Sequence, residues 1–318
     1  MLASTTTALV LAPFIAAGAT FVDLTRRQCR LPTVRTFLFL LQYGVNDSVE
    51  ILLSPILWVV AGGGKRLRTT ASIARHQRLQ RWSVRVLLRR ANRLLGLRVA
   101  IDDSSQAALL PAPAIVLCRH VSLVDASLPS ILYLDSGVDL HGVIMAELLT
   151  DPGFDLLYGR LGSVFIPRDN GPDALTAIAA LGQRVDTSSV AVIFPEGRLF
   201  RPDVAQRALA SIARSDPHRA NRLSSLRHVL PPRPGGFVAL LATCPGVDVV
   251  VVSHSGLERY GSFRDLARQV PLGLAVTVEA TRYRRSEIPT DDAGAARWLD
   301  DVWLALDEWV AQRLAPPA

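Results

Sequence analysis

The sequence predicts an α/β fold, a mostly parallel sheet flanked by helices, with an N-terminal membrane-associated helical region in front of it. Three observations predict this. Short apolar runs bounded by polar turns, at 114–118 and 189–194, read as strands covered on both faces. Such runs alternate with stretches of helical periodicity, the pattern of successive β-α-β units. The chain before Gly62 instead holds two long apolar stretches, 5–22 and 36–61, and a dense run of arginines follows it.

Composition sets the bounds. With 318 residues and 49% hydrophobic content the chain can bury a sizeable core. A mean hydropathy of +0.27 is high for a protein surrounded only by water and points to membrane contact. A net charge of +7 favours anionic partners, of which phospholipid headgroups fit better than nucleic acid, because aromatic residues are only 6% and no nucleic-acid-binding module is present. Cys29, Cys118 and Cys244 are too scattered for a disulfide framework or a metal site, and neither a metal nor a cofactor is expected.

Taken in order, 5–22 carries no charge and is just long enough for a membrane span; a signal peptide is the rival, but no basic residue precedes the run. Arg26, Arg27, Arg30 and Arg35 follow, which by the positive-inside rule leaves the rest of the chain, and its active site, on the cytoplasmic face. Residues 36–61 are apolar too, yet Asn46, Asp47 and Glu50 interrupt them, so a re-entrant or interfacial hairpin is expected rather than a second full span. The arginines between Lys65 and Arg90 are interleaved with Leu79, Trp82, Val86 and Leu87, as in a basic amphipathic helix on anionic headgroups. Gly62-Gly63-Gly64-Lys65 is not a phosphate loop, since Arg66 stands where Ser or Thr is needed. Residues 1–92 are therefore assigned to anchoring and interfacial helices, and 93–318 to the α/β domain.

Within that domain strands are predicted at 98–101, 114–118, 140–146, 163–167, 189–194, 247–253 and 273–279, and helices at 126–134, 173–186, 203–214 and 293–314. The basic stretch 201–233 reads as an insertion that covers a site, touches the membrane or simply loops over the surface. The last helix repeats apolar residues at Trp298, Val302, Leu306, Trp309 and Val310 and reads as packing alone.

Candidate chemistry gathers at strand ends. His120 and Asp125 follow the 114–118 strand, and a carboxylate five residues on can fold back to orient an imidazole acting as a base. In most chains such a pair is only a surface contact. A second block, Phe194-Pro195-Glu196-Gly197-Arg198-Leu199-Phe200-Arg201, ends another buried strand and has the composition of a site for an anionic substrate. A Cys118–His120 nucleophile is disfavoured because Cys118 lies inside its strand, and no G-x-S-x-G elbow exists to support a hydrolase. His254, after the apolar run Val249-Val250-Val251-Val252, reads as a strand-end residue that can line the same cleft.

In this order the two blocks resemble the glycerophospholipid acyltransferases, the family that includes the 1-acylglycerol-3-phosphate acyltransferases, with its H-x4-D block and later F-P-E-G-T-R block. Two further segments extend the resemblance over about residues 95 to 310 and towards the lysophosphatidate and lysocardiolipin branch: Gly162-Ser163-Val164-Phe165-Ile166-Pro167-Arg168, and Leu230-Pro231-Pro232-Arg233-Pro234-Gly235-Gly236-Phe237. Two departures stand out. Arg198-Leu199 replaces the usual Thr-Arg, and Met145-Ala146-Glu147-Leu148 lacks the usual lysine.

The resemblance implies transfer of a fatty acyl group from acyl-CoA, or acyl-carrier protein in some members, to the free sn-2 hydroxyl of 1-acylglycerol-3-phosphate, giving phosphatidic acid. It equally permits remodelling of another lysophospholipid such as lysocardiolipin or lysophosphatidylinositol, while the two departures leave open a catalytically inactive membrane lipid-binding protein. His120 is then the base and Asp125 its support. Arg168 and either Arg198 or Arg201 hold the acceptor phosphate, Glu196 orients the glycerol hydroxyl or helps shape the substrate-binding site with Gly197, and the N–H groups after His120 stabilise the oxyanion.

Overall fold

The computed structural model describes residues 2–167, 173–258, 260, 268–273 and 275–314. Two long helices, α1 (Leu2–Thr25) and α2 (Pro32–Val60), form an antiparallel hairpin, and α3 (Thr70–Arg90) packs against α2. Among the described residues α1 alone is long and apolar enough to cross a membrane. The hairpin is inverted relative to a water-soluble pair. Phe14, Phe21, Leu40, Leu52, Ile56 and Val59 are exposed, while Asn46, Asp47 and Glu50 are buried. These buried groups account for the polar break in 36–61. Asn46 Nδ2 donates to Ser83 Oγ at 2.7 Å, Ser83 in turn donates to Glu50, and Tyr43 donates to Asp151 Oδ2 at 2.7 Å. The arginine-rich α3 likewise has a packed face, with Ser72, His76, Leu79 and Ser83 buried, and Arg85 pairs with Asp135.

Seven strands, β1 (Val99–Ile101), β2 (Ala114–Cys118), β3 (Asp139–Met145), β4 (Val164–Ile166), β5 (Ser189–Ile193), β6 (Asp248–Ser255) and β7 (Val276–Tyr283), form one sheet in the order β1-β7-β6-β2-β5-β3-β4 among the described residues. Every pairing is parallel except β6 with β7, so the sheet is mixed, with two strands reversed at one side. Side-chain alternation on β2 explains its uninterrupted apolar run. Ala114, Val116 and Cys118 enter a core beneath the turn 91–95 that follows α3, the short helix α4 (Asp103–Ala108) and α5 (Leu128–Leu132), while Ile115 and Leu117 enter a second core under α7 (Asp173–Gly182), α10 (Pro234–Thr243) and the C-terminal helix (Asp292–Leu314).

Several elements differ from the sequence reading. The expected helix at 126–134 is a 3-10 turn (Asp125–Ser127) running into α5, because Pro129 sits within its first turn. The last strand lies later than 273–279, and α10 was not anticipated, since its uniformly apolar sequence has no amphipathic period to reveal it.

The stretch 201–233 is neither a free lid nor a plain excursion. Its first half is helical, as α8 (Pro202–Ser215) and α9 (Pro217–Arg222), and its second half descends into the second core through Leu223, Leu226 and Val229. The C-terminal helix fastens it there. Buried Asp300 receives two bonds from Arg219 and one from Arg222, and Asp307 accepts the backbone N–H groups of Arg227, His228 and Val229 at 2.6–3.1 Å. The expectation that this helix serves packing alone is corrected: its acidic residues are the fasteners. Removing Asp307 would orphan three backbone donors at once. Asp307→Ala is expected to lower unfolding free energy by about 3 kcal/mol, read from denaturant unfolding; a change within about 0.5 kcal/mol, as at an ordinary surface site, would contradict this.

Candidate active site

Parallel strands deliver their C-terminal ends to one edge, so β2, β5 and β6 bring His120, the Glu196 block and His254 together. Asp125 turns back from its 3-10 turn and is fully buried. Its Oδ1 lies 2.7 Å from His120 Nδ1, and its Oδ2 accepts the N–H groups of Val121 and Ser122 at 2.5 and 2.7 Å. An acceptor at Nδ1 fixes the tautomer, placing the proton on Nδ1 and leaving Nε2 bare. The imidazole is 17% exposed, against the tilted ring of Phe194 with centroids 4.7 Å apart. The imidazole and the carboxylate therefore meet, as their spacing in the sequence predicts.

That geometry corrects one expectation. The N–H groups directly after His120 are occupied by Asp125 and are not free for an oxyanion. Cys118 is buried, and desolvation, with the nearby charge of Asp125, pushes its thiol far up, so it remains a thiol rather than a nucleophile.

Glu196 is 1% exposed, and its two oxygens hold two distant backbone segments: Oε1 accepts His120 N–H at 2.7 Å and Oε2 accepts Leu230 N–H at 2.8 Å. Both bonds go to backbone, so the carboxylate shapes the site from beneath. Next to it Gly197 adopts φ +64°, a left-handed conformation that favours glycine. Phe200 N–H donates to the carbonyl of His120 at 2.9 Å, so the segment 196–200 is closed onto His120 at both ends.

The arginines divide. Arg168 lies outside the described residues. Arg201 bonds Asp203 at the start of α8, at 3.0 Å, and its side chain is 69% exposed. Arg198 is exposed inside the closed segment, and Arg233 joins it: Arg233 N–H donates to Pro195 O at 2.8 Å, while its side chain crosses Gly197. Partial desolvation, and then the charge of Arg198, lower the pKa of Arg233.

Two further residues, Arg119 and Arg233, escaped the sequence reading of the site. Arg119 is 1% exposed and ties His254 O, Glu258 and His228 O together at 2.6, 2.6 and 2.9 Å. His254 does not line the opening as expected; it is fully buried behind the pair, with Nε2 3.1 Å from Arg119 O and 3.6 Å from Asp125 Oδ2. Burial holds its pKa below the usual histidine range, so the ring is neutral. Of Arg119 and Arg233, only Arg233 had a signal in the sequence, its place in the segment 230–237.

Comparison with known proteins identifies the class as an acyltransferase. The family described as Acyltransferase matches residues 98–255, the stretch that carries both the His120 and the Glu196 blocks. A lyso-ornithine lipid O-acyltransferase of Rhizobium meliloti (strain 1021) is 31% identical over 118 residues, 37% of this chain; the chain spans only 38% of that relative's length. The crystal structure of the 1-acyl-sn-glycerophosphate (LPA) acyltransferase from Thermotoga maritima shares the fold, with TM-score 0.53 over 90% of this chain and 100% of that one, at 16% identity. The chain belongs to the glycerophospholipid acyltransferase family.

Burial pushes Glu196 from 4.5 up to about 7, although its two backbone donors and the charges of Arg119 and His120 pull the other way. The native state thus holds this proton more tightly than the unfolded chain, and stability falls as pH rises from 4.5 through about 7. In Glu196→Gln that part of the pH slope is expected to vanish. Stability is also expected to drop by about 1–3 kcal/mol, because the amide N–H₂ must face one of two backbone donors. Thermal unfolding of both proteins across this range measures both effects; matching slopes would refute the assignment.

Proposed function

We propose that this protein transfers a fatty acyl group from acyl-CoA to the free sn-2 hydroxyl of 1-acylglycerol-3-phosphate, giving phosphatidic acid. The single observation that carries the reading is the bare Nε2 of His120, held in one tautomer by Asp125. In the proposed reaction Nε2 takes the hydroxyl proton as the oxygen attacks the thioester carbonyl. The tetrahedral adduct collapses with release of the CoA thiolate, which receives that proton from the imidazolium. Asp125 stabilises the transient positive ring, and the chemistry requires neither a covalent intermediate on the protein nor a metal. Arg168 and Arg198 are proposed to face the acceptor's phosphate, and Arg201 is the weaker choice given its contact with Asp203. Gly197 gives the segment its closed turn.

The N-terminal hairpin supports a membrane location, with α1 crossing or lying in the bilayer and the active site on the cytoplasmic side next to the arginines at 26–35. A phospholipid membrane, the lysolipid acceptor and acyl-CoA or acyl-carrier protein are the proposed partners. The R. meliloti relative favours a second reading, in which the acceptor is a lysolipid with a different headgroup.

Membranes containing wild type, His120→Ala or Asp125→Asn, supplied with labelled acyl-CoA and a panel of lysolipids, test these readings. Wild type is expected to acylate 1-acylglycerol-3-phosphate, and His120→Ala to lower kcat by about 10²–10⁴-fold. Asp125→Asn is expected to lower it as well, because an amide group cannot accept from both His120 and the backbone with two oxygens. Acylation of a different lysolipid alone would select the second reading. Full activity of His120→Ala would remove the catalytic assignment, and a wild type that acylates nothing would leave a lipid-binding protein on the same fold.

A further inference from the structure

The segment 196–200 is pinned to His120 at both ends, by Glu196 Oε1 on the N–H at 2.7 Å and by Phe200 N–H on the carbonyl at 2.9 Å. Arg198 stands midway in that segment, two residues from either pin, and is exposed. Across Gly197 comes a second guanidinium. A Cβ at Gly197 would lie 3.4, 3.6 and 3.7 Å from Cδ, Nε and Nη1 of Arg233, so the bare glycine is the lane along which that side chain runs. Two guanidiniums are thereby brought to one place at the catalytic edge, and among the described residues neither has a carboxylate partner. Like charges drawn together without an anion between them are unfavourable, and an oxyanion between them reverses the sign. The alternative arginine, Arg201, is already paired with Asp203, which Arg207 holds from its other oxygen.

We propose that Arg198 and Arg233 form a two-guanidinium clamp for the phosphate monoester of the acceptor lipid, Arg233 being a binding residue contributed from outside the Glu196 block. The assignment rests on the acyl-transfer reading given above and adds the residue that selects an anionic acceptor. A phosphate monoester fits such a pair better than a carboxylate: its three terminal oxygens can accept from both planar forks, whereas the two oxygens of a carboxylate fill only one. The other source of phosphate in the reaction is the CoA moiety of the donor, and the experiment separates the two.

The full-length chain in detergent micelles is assayed as wild type, Arg198→Gln, Arg233→Gln and Arg233→Lys, with Arg207→Gln as a surface control. Each glutamine variant is expected to raise KM for 1-acylglycerol-3-phosphate by about 10- to 100-fold. KM for acyl-CoA and kcat should hardly move, Arg233→Lys should recover part of the loss, and Arg207→Gln should behave as wild type. A rise in KM for acyl-CoA instead would assign the pair to the donor and overturn the proposal, as would no change in either KM. Direct titration of 1-acylglycerol-3-phosphate into wild type and Arg233→Gln separates this inference from the reading it rests on. Weaker binding by the variant of a chain that does not turn over would keep the clamp and end the acyl-transfer reading; equal binding would end the clamp.

Discussion

The site depends on two buried carboxylates that accept backbone N–H groups, because backbone donors at strand ends have no ladder partner and must be satisfied once water is excluded. Asp125 gathers two of them and the imidazole into one local turn. Glu196 does the long-range work, joining His120, two residues beyond β2, to the loop after β5 and to Leu230 near the end of the insertion. Remove either and a donor is left dry inside the protein. The price of keeping these acids buried is offset by the donors they satisfy, and the result is an imidazole whose backbone and ring are both fixed before any lipid arrives.

How much of this was legible in the sequence depended on the range of the interaction. His120 and Asp125 are five residues apart, and the end of a strand forces them together, so their pairing could be read from spacing. The strands β2 and β5 were also visible, because a run buried on both faces is apolar without a break. The reversal of β7 against β6 was less accessible, since a strand's direction depends on a connection rather than on its own composition.

What was hidden is tertiary. Asp300 and Asp307 look like the polar face of an amphipathic helix, and only the fold shows them turned towards the insertion. Arg233 lay in a segment already marked by resemblance, but nothing in its neighbours along the chain says that it crosses Gly197. Arg201 sits in the marked block itself, yet an acidic residue two places on draws it aside. In each case the groups that come to lie alongside, rather than residue type, decided the role.

The inverted hairpin has a practical meaning for anyone wishing to handle the α/β half alone. Cutting the chain ahead of α3 would strip partners from Ser83 and Asp151, which now meet Asn46, Glu50 and Tyr43. The remaining fragment would present a raw polar scar where the hairpin had been. Conversely, the excised hairpin would carry carboxylates along the seam and leucines on its rind. Hairpin and α/β body are thus halves of one joint, and a detergent that shields the outer leucines is a gentler route to a soluble preparation than a shorter gene.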